Sequence, residues 1–199
     1  MAIGDSAFKA PQADDDTSDA LVMRGYAIVL GHFNAATNTW QIQVLEFCGG
    51  KQSHVCRGVW SAELHNQCDM IDVAIILRGF FHEVRNGTQT SLALRDMLEY
   101  GNFDMPLDAF TDSYSIFSYL RSQHLKMPAD KSTFYHLAHL REVLDRHLVN
   151  RYVWVDTRDM AMDIMTKGLS DRTASQQFMK GTWQMRHACE IHAVNELGS

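Results

Sequence analysis

The sequence predicts an α/β protein in which helices flank one mixed β-sheet. Three observations support this: three strand patterns in a row at the start of the chain, two isolated strands later, and amphipathic helical patterns between them. An initial run of strands followed by alternating helices and strands is typical of a mixed sheet with helices on its faces. Since the 199 residues contain no repeat and no low-complexity linker, one domain is the simplest arrangement.

The strand predictions come from runs of β-forming residues bounded by polar turns. The first three strands are expected at residues 1–9, 21–30 and 39–47 and form an antiparallel meander. The third alternates apolar and polar side chains over most of its length, which indicates one buried face. The fourth strand is expected to begin at Pro106 and end at Asp112, and the fifth covers Arg151–Val155.

Helices are predicted where apolar residues recur at helical spacing. Ser61 is expected to cap the first of them. The helices are expected at residues 61–83, 91–99, 115–123, 132–148 and 159–167. Residues 1–170 are taken as the domain, and residues 171–199 as a C-terminal extension that packs on it or is flexible. Within that extension, residues 183–194 are expected to form a final strand or a packed segment.

Four acidic residues lie where predicted strands end or predicted helices occur. Asp112 ends the fourth strand directly before a helix, and Asp5 lies in the short first strand. Glu63 falls in the first turn of the first long helix, and Asp163 falls in the last predicted helix. Clustered carboxylates repel one another unless a cation neutralises them, and Mg²⁺ prefers oxygen ligands. We therefore expect these four acids to meet and to hold divalent metal.

Charge and hydropathy narrow the classes of function. The formal net charge of -6 weighs against a stand-alone, non-specific nucleic-acid binder, which would normally be basic. No apolar run reaches the roughly 20 residues that a membrane span needs, so no membrane partner is expected. The acidic N-terminal region lacks the features of a signal peptide. The expected location is therefore intracellular, in the cytoplasm or nucleus, with an organelle left open.

Four separated blocks resemble the ribonuclease H domain of copia-type retrotransposon polyproteins. One reads Lys-Gln-Ser-His-Val-Cys-Arg-Gly-Val-Trp-Ser-Ala-Glu and is similar to the family pattern Lys-Gln-x-x-Val-x-x-Ser-x-x-Glu-Ala-Glu. Another, Ala-Met-Asp-Ile-Met-Thr-Lys, is similar to the family's Ala-Asp-x-Phe-Thr-Lys. The blocks follow the family's order. They are Asp5–Phe8 with Arg24–Tyr26, Lys51–Leu64, Lys131–Leu148 and Trp154–Leu169.

The resemblance implies a ribonuclease H-like fold with a five-stranded mixed sheet, three antiparallel strands being followed by two parallel ones. It implies a metal-dependent endonuclease that cleaves the RNA strand of RNA–DNA hybrids and lies C-terminal to a reverse transcriptase. Two Mg²⁺ ions, which Mn²⁺ can replace, would serve the two ends of the displacement. Their catalytic ligands would be Asp5, Glu63, Asp112 and Asp163.

The expected roles of these acids differ. Asp5 and Asp112 would bridge the ions or ligate them directly. Glu63 would hold the ion nearer the leaving group, and Asp163 would hold the ion that activates water. Hydrogen bonds to the carboxylates are expected from two serines, Ser6 and Ser113. Phosphate contacts are expected from Lys51, Gln52 and Arg57.

Two other functions stay open on the sequence alone. The domain could be a domesticated structural or binding subunit of a larger assembly, a reading that the acidic charge favours. It could also be another nuclease of the same superfamily that acts on DNA. Cellular and retroviral members usually have a histidine in a loop before the last acidic residue, and residues 154–159 contain none.

Overall fold

The computed structural model describes residues 1–9, 21–52, 56–124, 126–167 and 173–193. The strands are β1 (Ala2–Lys9), β2 (Leu21–Asn34), β3 (Thr39–Lys51), β4 (Asp108–Thr111), β5 (Arg151–Val155), β6 (Thr182–Trp183) and β7 (Cys189–Ala193). The helices are α1 (Val59–Asn86), α2 (Ser91–Tyr100), α3 (Tyr114–Arg121), α4 (Phe134–Asp145), α5 (Asp163–Thr166) and α6 (Thr173–Met179).

The described strands form one mixed sheet in the order β6-β3-β2-β1-β4-β5-β7. The pairs β1–β2 and β2–β3 are antiparallel, whereas β1–β4 and β4–β5 are parallel. The predicted α/β class with helices flanking a mixed sheet is confirmed. The predicted count of five strands is wrong, because the sheet has seven strands. The two additional strands, β6 and β7, pair with the edges of β3 and β5.

Hydrophobic cores lie on both faces of the sheet. One contains the apolar side of α1, with Leu64 and Ile71, together with buried residues of α3 and α4. The other contains Phe110 and Trp183 with Phe178 of α6. Strands that are covered on both faces consist mostly of apolar residues, so an ionisable group among them is unusual. No helix in the described part of the chain combines the length and apolar character needed to cross a bilayer.

The first helix begins earlier than expected. Its N-cap is Gly58, and Ser61 lies three residues into the helix. The Ser61 hydroxyl accepts hydrogen bonds from the backbone N–H groups of Arg57 and Gly58, at 3.1 and 3.2 Å. The prediction that Ser61 occupies the cap position is therefore wrong, although its hydroxyl still satisfies two backbone donors at the helix start.

The predicted helix at residues 159–167 is confirmed only in its second part. The chain forms a 3-10 turn at Thr157–Asp159, and only Asp163–Thr166 is α-helical. Asp159 instead anchors the C-terminal part, because its Oδ2 accepts the backbone N–H groups of Arg186 and His187 at 2.9 and 2.8 Å. These partners are distant in sequence, so local periodicity could not reveal them.

Candidate metal centre

Parallel pairing of β1 and β4 brings two of the predicted acids together. Ala2 pairs with Ala109 and Ile3 with Phe110. The same register, carried two residues further, sets Asp5 beside Asp112, just beyond the end of β4. Side chains at the same edge of neighbouring parallel strands lie close in space. One ligand oxygen from each of three acids falls within 4.8 Å of the others, the three being Asp5, Glu63 and Asp112.

Helix α1 carries Glu63 to this edge of the sheet. The backbone N–H of Ser6 donates to Glu63 Oε1 at 3.2 Å, and the Ser6 hydroxyl donates to the carbonyl of Ala62 at 3.3 Å. Helix and strand approach closely at Gly4, where an added Cβ would lie 2.9 Å from the sulfur of Met70. The first strand thus positions the helix that supplies the third carboxylate.

Two buried amides fix the same contact further along α1. Asn66 Nδ2 donates to the carbonyl of Asp5 at 2.8 Å and to that of Gly25 at 3.2 Å. Gln67 Nε2 donates to the carbonyl of Gly4 at 3.1 Å, and its Oε1 accepts the Tyr152 hydroxyl at 3.2 Å. Because both amides are fully buried, these bonds hold α1 rigidly against β1.

Two carboxylate oxygens of the cluster lack a protein donor. Asp5 and Glu63 are buried, at 0% and 5% exposure. Neither Asp5 Oδ1 nor Glu63 Oε2 has a hydrogen-bond partner among the residues that the structure describes. A buried charged group without a partner is strongly unfavourable, and native structures rarely contain one without an ion or a function. Both oxygens fit the ligand chemistry of a hard divalent cation.

The pKa values of the three acids reflect the same unfavourable burial of charge. Burial raises the pKa of Asp5 from its ordinary 3.8 to about 7, and the charge of Asp112 adds to the rise. Burial also raises the pKa of Glu63 well above its ordinary value, with Asp5 and Asp112 contributing. For Asp112, burial raises the pKa while the charge of Lys167 opposes it. A cation at the cluster would relieve all three effects.

The fourth predicted acid lies beside this group but outside it. Asp163 begins α5, and its Oδ1 accepts a hydrogen bond from Lys167 Nζ at 2.6 Å. The same ammonium group is 3.8 Å from Asp5 Oδ2, which also accepts the hydroxyl of Thr166. Burial lowers the pKa of Lys167. The hydrogen bond to Asp163 and the nearby carboxylate charges raise it by more, so the pKa lies above its ordinary value.

Close packing on two glycines sets the position of α5. A Cβ added at Gly25 of β2 would lie 2.8 Å from the Cβ of Met165 and 3.2 Å from Thr166 Cγ2. A Cβ added at Gly49 of β3 would lie 2.8 Å from the Met165 methyl carbon. The absence of side chains at these two positions lets α5 reach the sheet and present its donors to Asp5.

The two serines expected to support the carboxylates make different bonds. Ser6 donates to Glu63 through its backbone N–H, while its hydroxyl donates to the carbonyl of Ala62. In the hydrogen bonds described, Ser113 contacts the hydroxyls of Thr111 and Ser115. Threonines supply these hydroxyl donors instead: Thr166 donates to Asp5, and the Thr157 side chain is hydrogen-bonded to Asp112.

The three residues expected to contact phosphate occupy different environments. Lys51 is exposed at the end of β3, and the Arg57 side chain is 78% exposed, with its guanidinium 3.8 Å from Asp130. Gln52 is buried and donates from Nε2 to the carbonyl of Ala62 at 3.4 Å. Its amide thus supports the start of α1 beside Glu63 and does not face solvent.

Sequence reasoning assigned no role to Lys167, Thr166, Asn66 or Gln67. A signal was present for Lys167, because residues four apart share one face of a helix and Asp163 precedes it by four. The signal for the amides was weaker. Two adjacent polar residues interrupt an apolar helix there, without indicating their partners.

Comparisons of the chain with protein-family models, with characterised proteins and with solved structures found no match. The geometry itself defines a buried acidic triad that could bind a metal ion.

Proposed function

We propose that this chain is a metal-dependent endonuclease of the ribonuclease H-like fold, which cleaves the RNA strand of RNA–DNA hybrids. The observation that supports the proposal best is the buried triad, in which Asp5 Oδ1 and Glu63 Oε2 are left without a donor from the described residues. The central strand order β3-β2-β1-β4-β5, antiparallel and then parallel, supports the fold assignment.

The proposed cofactor is Mg²⁺, which Mn²⁺ can replace. Asp5, Glu63 and Asp112 would hold it, and few carboxylates suffice because Mg²⁺ retains several water ligands. When bound, the ion would polarise a phosphate oxygen and lower the pKa of a bound water. The chain's own contribution is to hold the three carboxylates in place through β1, α1 and the end of β4. A second ion, as the sequence predicts, would need Asp163, whose Oδ1 already accepts Lys167.

The reaction is hydrolysis of a phosphodiester. A water oxygen bonds to phosphorus, the bond from phosphorus to O3′ breaks, and the products carry a 5′-phosphate and a 3′-hydroxyl. RNA would be distinguished from DNA by its 2′-hydroxyl groups, which line the wide minor groove of the hybrid. The exposed Lys51 and Arg57 support contacts to the backbone phosphates. Because the net charge is -6, we propose that a reverse transcriptase domain or larger complex supplies further affinity.

The direct test is cleavage of an end-labelled RNA–DNA hybrid in Mg²⁺ or Mn²⁺, with Asp112→Asn prepared in parallel. The proposal predicts RNA fragments with 5′-phosphate and 3′-hydroxyl ends, and at least a hundredfold less product from the variant. These ends exclude a contaminating ribonuclease that uses the 2′-hydroxyl as nucleophile, since such enzymes leave cyclic phosphates.

Two results would redirect the assignment. If the protein binds the hybrid but produces no more fragments than Asp112→Asn, the chain acts as a binding or structural subunit. If it cleaves duplex DNA and leaves the hybrid intact, it is a DNA nuclease of the same superfamily. Fluorescence anisotropy with the labelled hybrid measures binding separately from cleavage, so the two results are distinguishable.

A further inference from the structure

We propose that Lys167 takes the place of a second metal ion, so that the site combines one divalent cation with one built-in ammonium group. The inference rests on the proposed function, because it concerns the cation content of the same carboxylate site. It replaces the two-ion arrangement expected from the sequence.

The two oxygens of Asp5 have different surroundings. To bridge two ions, this carboxylate would have to offer one oxygen to each. Oδ1 has no protein donor among the described residues, and one oxygen of Asp5 lies within 4.8 Å of a ligand oxygen of each of the other two acids of the triad. Oδ2 already accepts the hydroxyl of Thr166 and lies 3.8 Å from the ammonium of Lys167. One oxygen is therefore available for metal, and the other is held by the chain itself.

Asp163 is bonded to Lys167 and lies outside the triad. Its ligand oxygens fall outside the group of three acids whose atoms lie within 4.8 Å of one another. Its Oδ1 accepts Lys167 Nζ at 2.6 Å, a short charge-assisted hydrogen bond. The ammonium thus joins Asp163 to Asp5, the two residues that a second ion would have to join.

Packing and hydrogen bonds hold Lys167 in place. It directly follows α5, and Met165 packs that helix against Gly25 and Gly49 of the sheet. The carbonyl of Asp163 accepts the backbone N–H of Lys167 at 2.7 Å. A divalent ion entering beside this ammonium would meet a like charge at close range.

The number of ions bound per chain tests the inference. Isothermal titration with Mn²⁺ is carried out on the wild-type chain and on Lys167→Ala, Lys167→Arg and Lys180→Ala. We expect one ion for the wild-type chain and one for Lys167→Arg, which keeps the positive charge. We expect two ions for Lys167→Ala, because removal of the ammonium frees Asp163 and leaves Asp5 Oδ2 one lone pair beyond the one that accepts the Thr166 hydroxyl. Lys180 is exposed, and its removal provides the matched control with one ion.

The outcomes separate this inference from the proposed function. Two ions on the wild-type chain, or one ion on Lys167→Ala, would overturn the inference and leave the metal-dependent function standing. Absence of Mn²⁺ binding by every variant would overturn both.

A measurement on the wild-type chain covers the case in which Lys167→Ala does not fold. The ¹⁵N-detected ammonium signal of Lys167 is followed while Mg²⁺ is added. If Lys167 remains beside Asp163, its slowly exchanging signal persists at saturating Mg²⁺. Loss of that signal, with the ammonium released to solvent, would show that metal displaces Lys167 and would refute the inference.

Discussion

Asp5→Asn should stabilise the metal-free protein, although Asp5 is buried and hydrogen-bonded. Its carboxyl group has an ordinary pKa of 3.8, which burial and the charge of Asp112 raise to about 7 in the folded chain. The folded chain therefore binds a proton that the unfolded chain has lost. The stability that this bound proton contributes is fully present below about pH 4, and it is lost as the pH rises through about 7. Glu63 and Asp112 act in the same direction.

The size of the effect follows from the two pKa values. A carboxyl group that titrates at about 7 when folded and at 3.8 when unfolded loses at most about 4 kcal/mol of stability between pH 4 and pH 8. Asn at position 5 carries no charge and still accepts the Thr166 hydroxyl through its amide oxygen. We expect Asp5→Asn to be about 2–4 kcal/mol more stable than the wild-type chain at about pH 8 in EDTA.

Urea unfolding in EDTA, followed by circular dichroism from about pH 5 to 8, measures this difference. The wild-type chain should lose stability across the range, and Asp5→Asn should lose much less. Asp96→Asn, at an exposed position of α2, serves as the matched control and should stay within about 0.5 kcal/mol of the wild-type chain. Wild-type stability that stays constant or rises with pH, or a variant less stable at about pH 8, would refute the reasoning.

Two further predictions concern the supports of the site, and a third concerns metal binding. Gly25→Ala should destabilise the chain by about 1–3 kcal/mol in urea unfolding, because the added Cβ would press on Met165. Gly50→Ala should be neutral, because no described atom lies within 4 Å of a Cβ added there. Equal effects of the two substitutions would contradict the packing argument. Asn66→Ala should cost about 2–4 kcal/mol because two buried backbone carbonyls lose their donor, and a loss below about 0.5 kcal/mol would contradict it. Millimolar Mg²⁺ should raise the melting temperature of the wild-type chain but not that of Asp112→Asn, by differential scanning fluorimetry; an equal rise in both would place the ion elsewhere.

The meeting of three acids could be anticipated from the sequence because it depends on local signals. Asp112 follows an apolar run directly before a helix, and Asp5 lies in another short strand. Parallel pairing of two such strands places their ends at one edge of a sheet. Glu63 could be assigned because an apolar helix begins just before it. These features are local in sequence, so the pattern of residue types reveals them.

What the sequence did not reveal depends on contacts between distant residues. Strand β6 has two residues, too few for an alternating pattern, and it forms by pairing with β3. Asp159 was expected to begin a helix, but its carboxylate binds backbone donors almost 30 residues later. Gln52 was expected to contact phosphate, but its side chain is buried. Its burial results from the packing of α1 on β1 and β2.

The most direct test of the account is a crystal of this chain soaked in Mn²⁺ and measured for anomalous scattering at the manganese edge. We expect a single strong peak bounded by Asp5, Glu63 and Asp112, with Lys167 still bonded to Asp163. An anomalous map with no peak between these three carboxylates, at Mn²⁺ concentrations that saturate binding in solution, would contradict the proposed metal site.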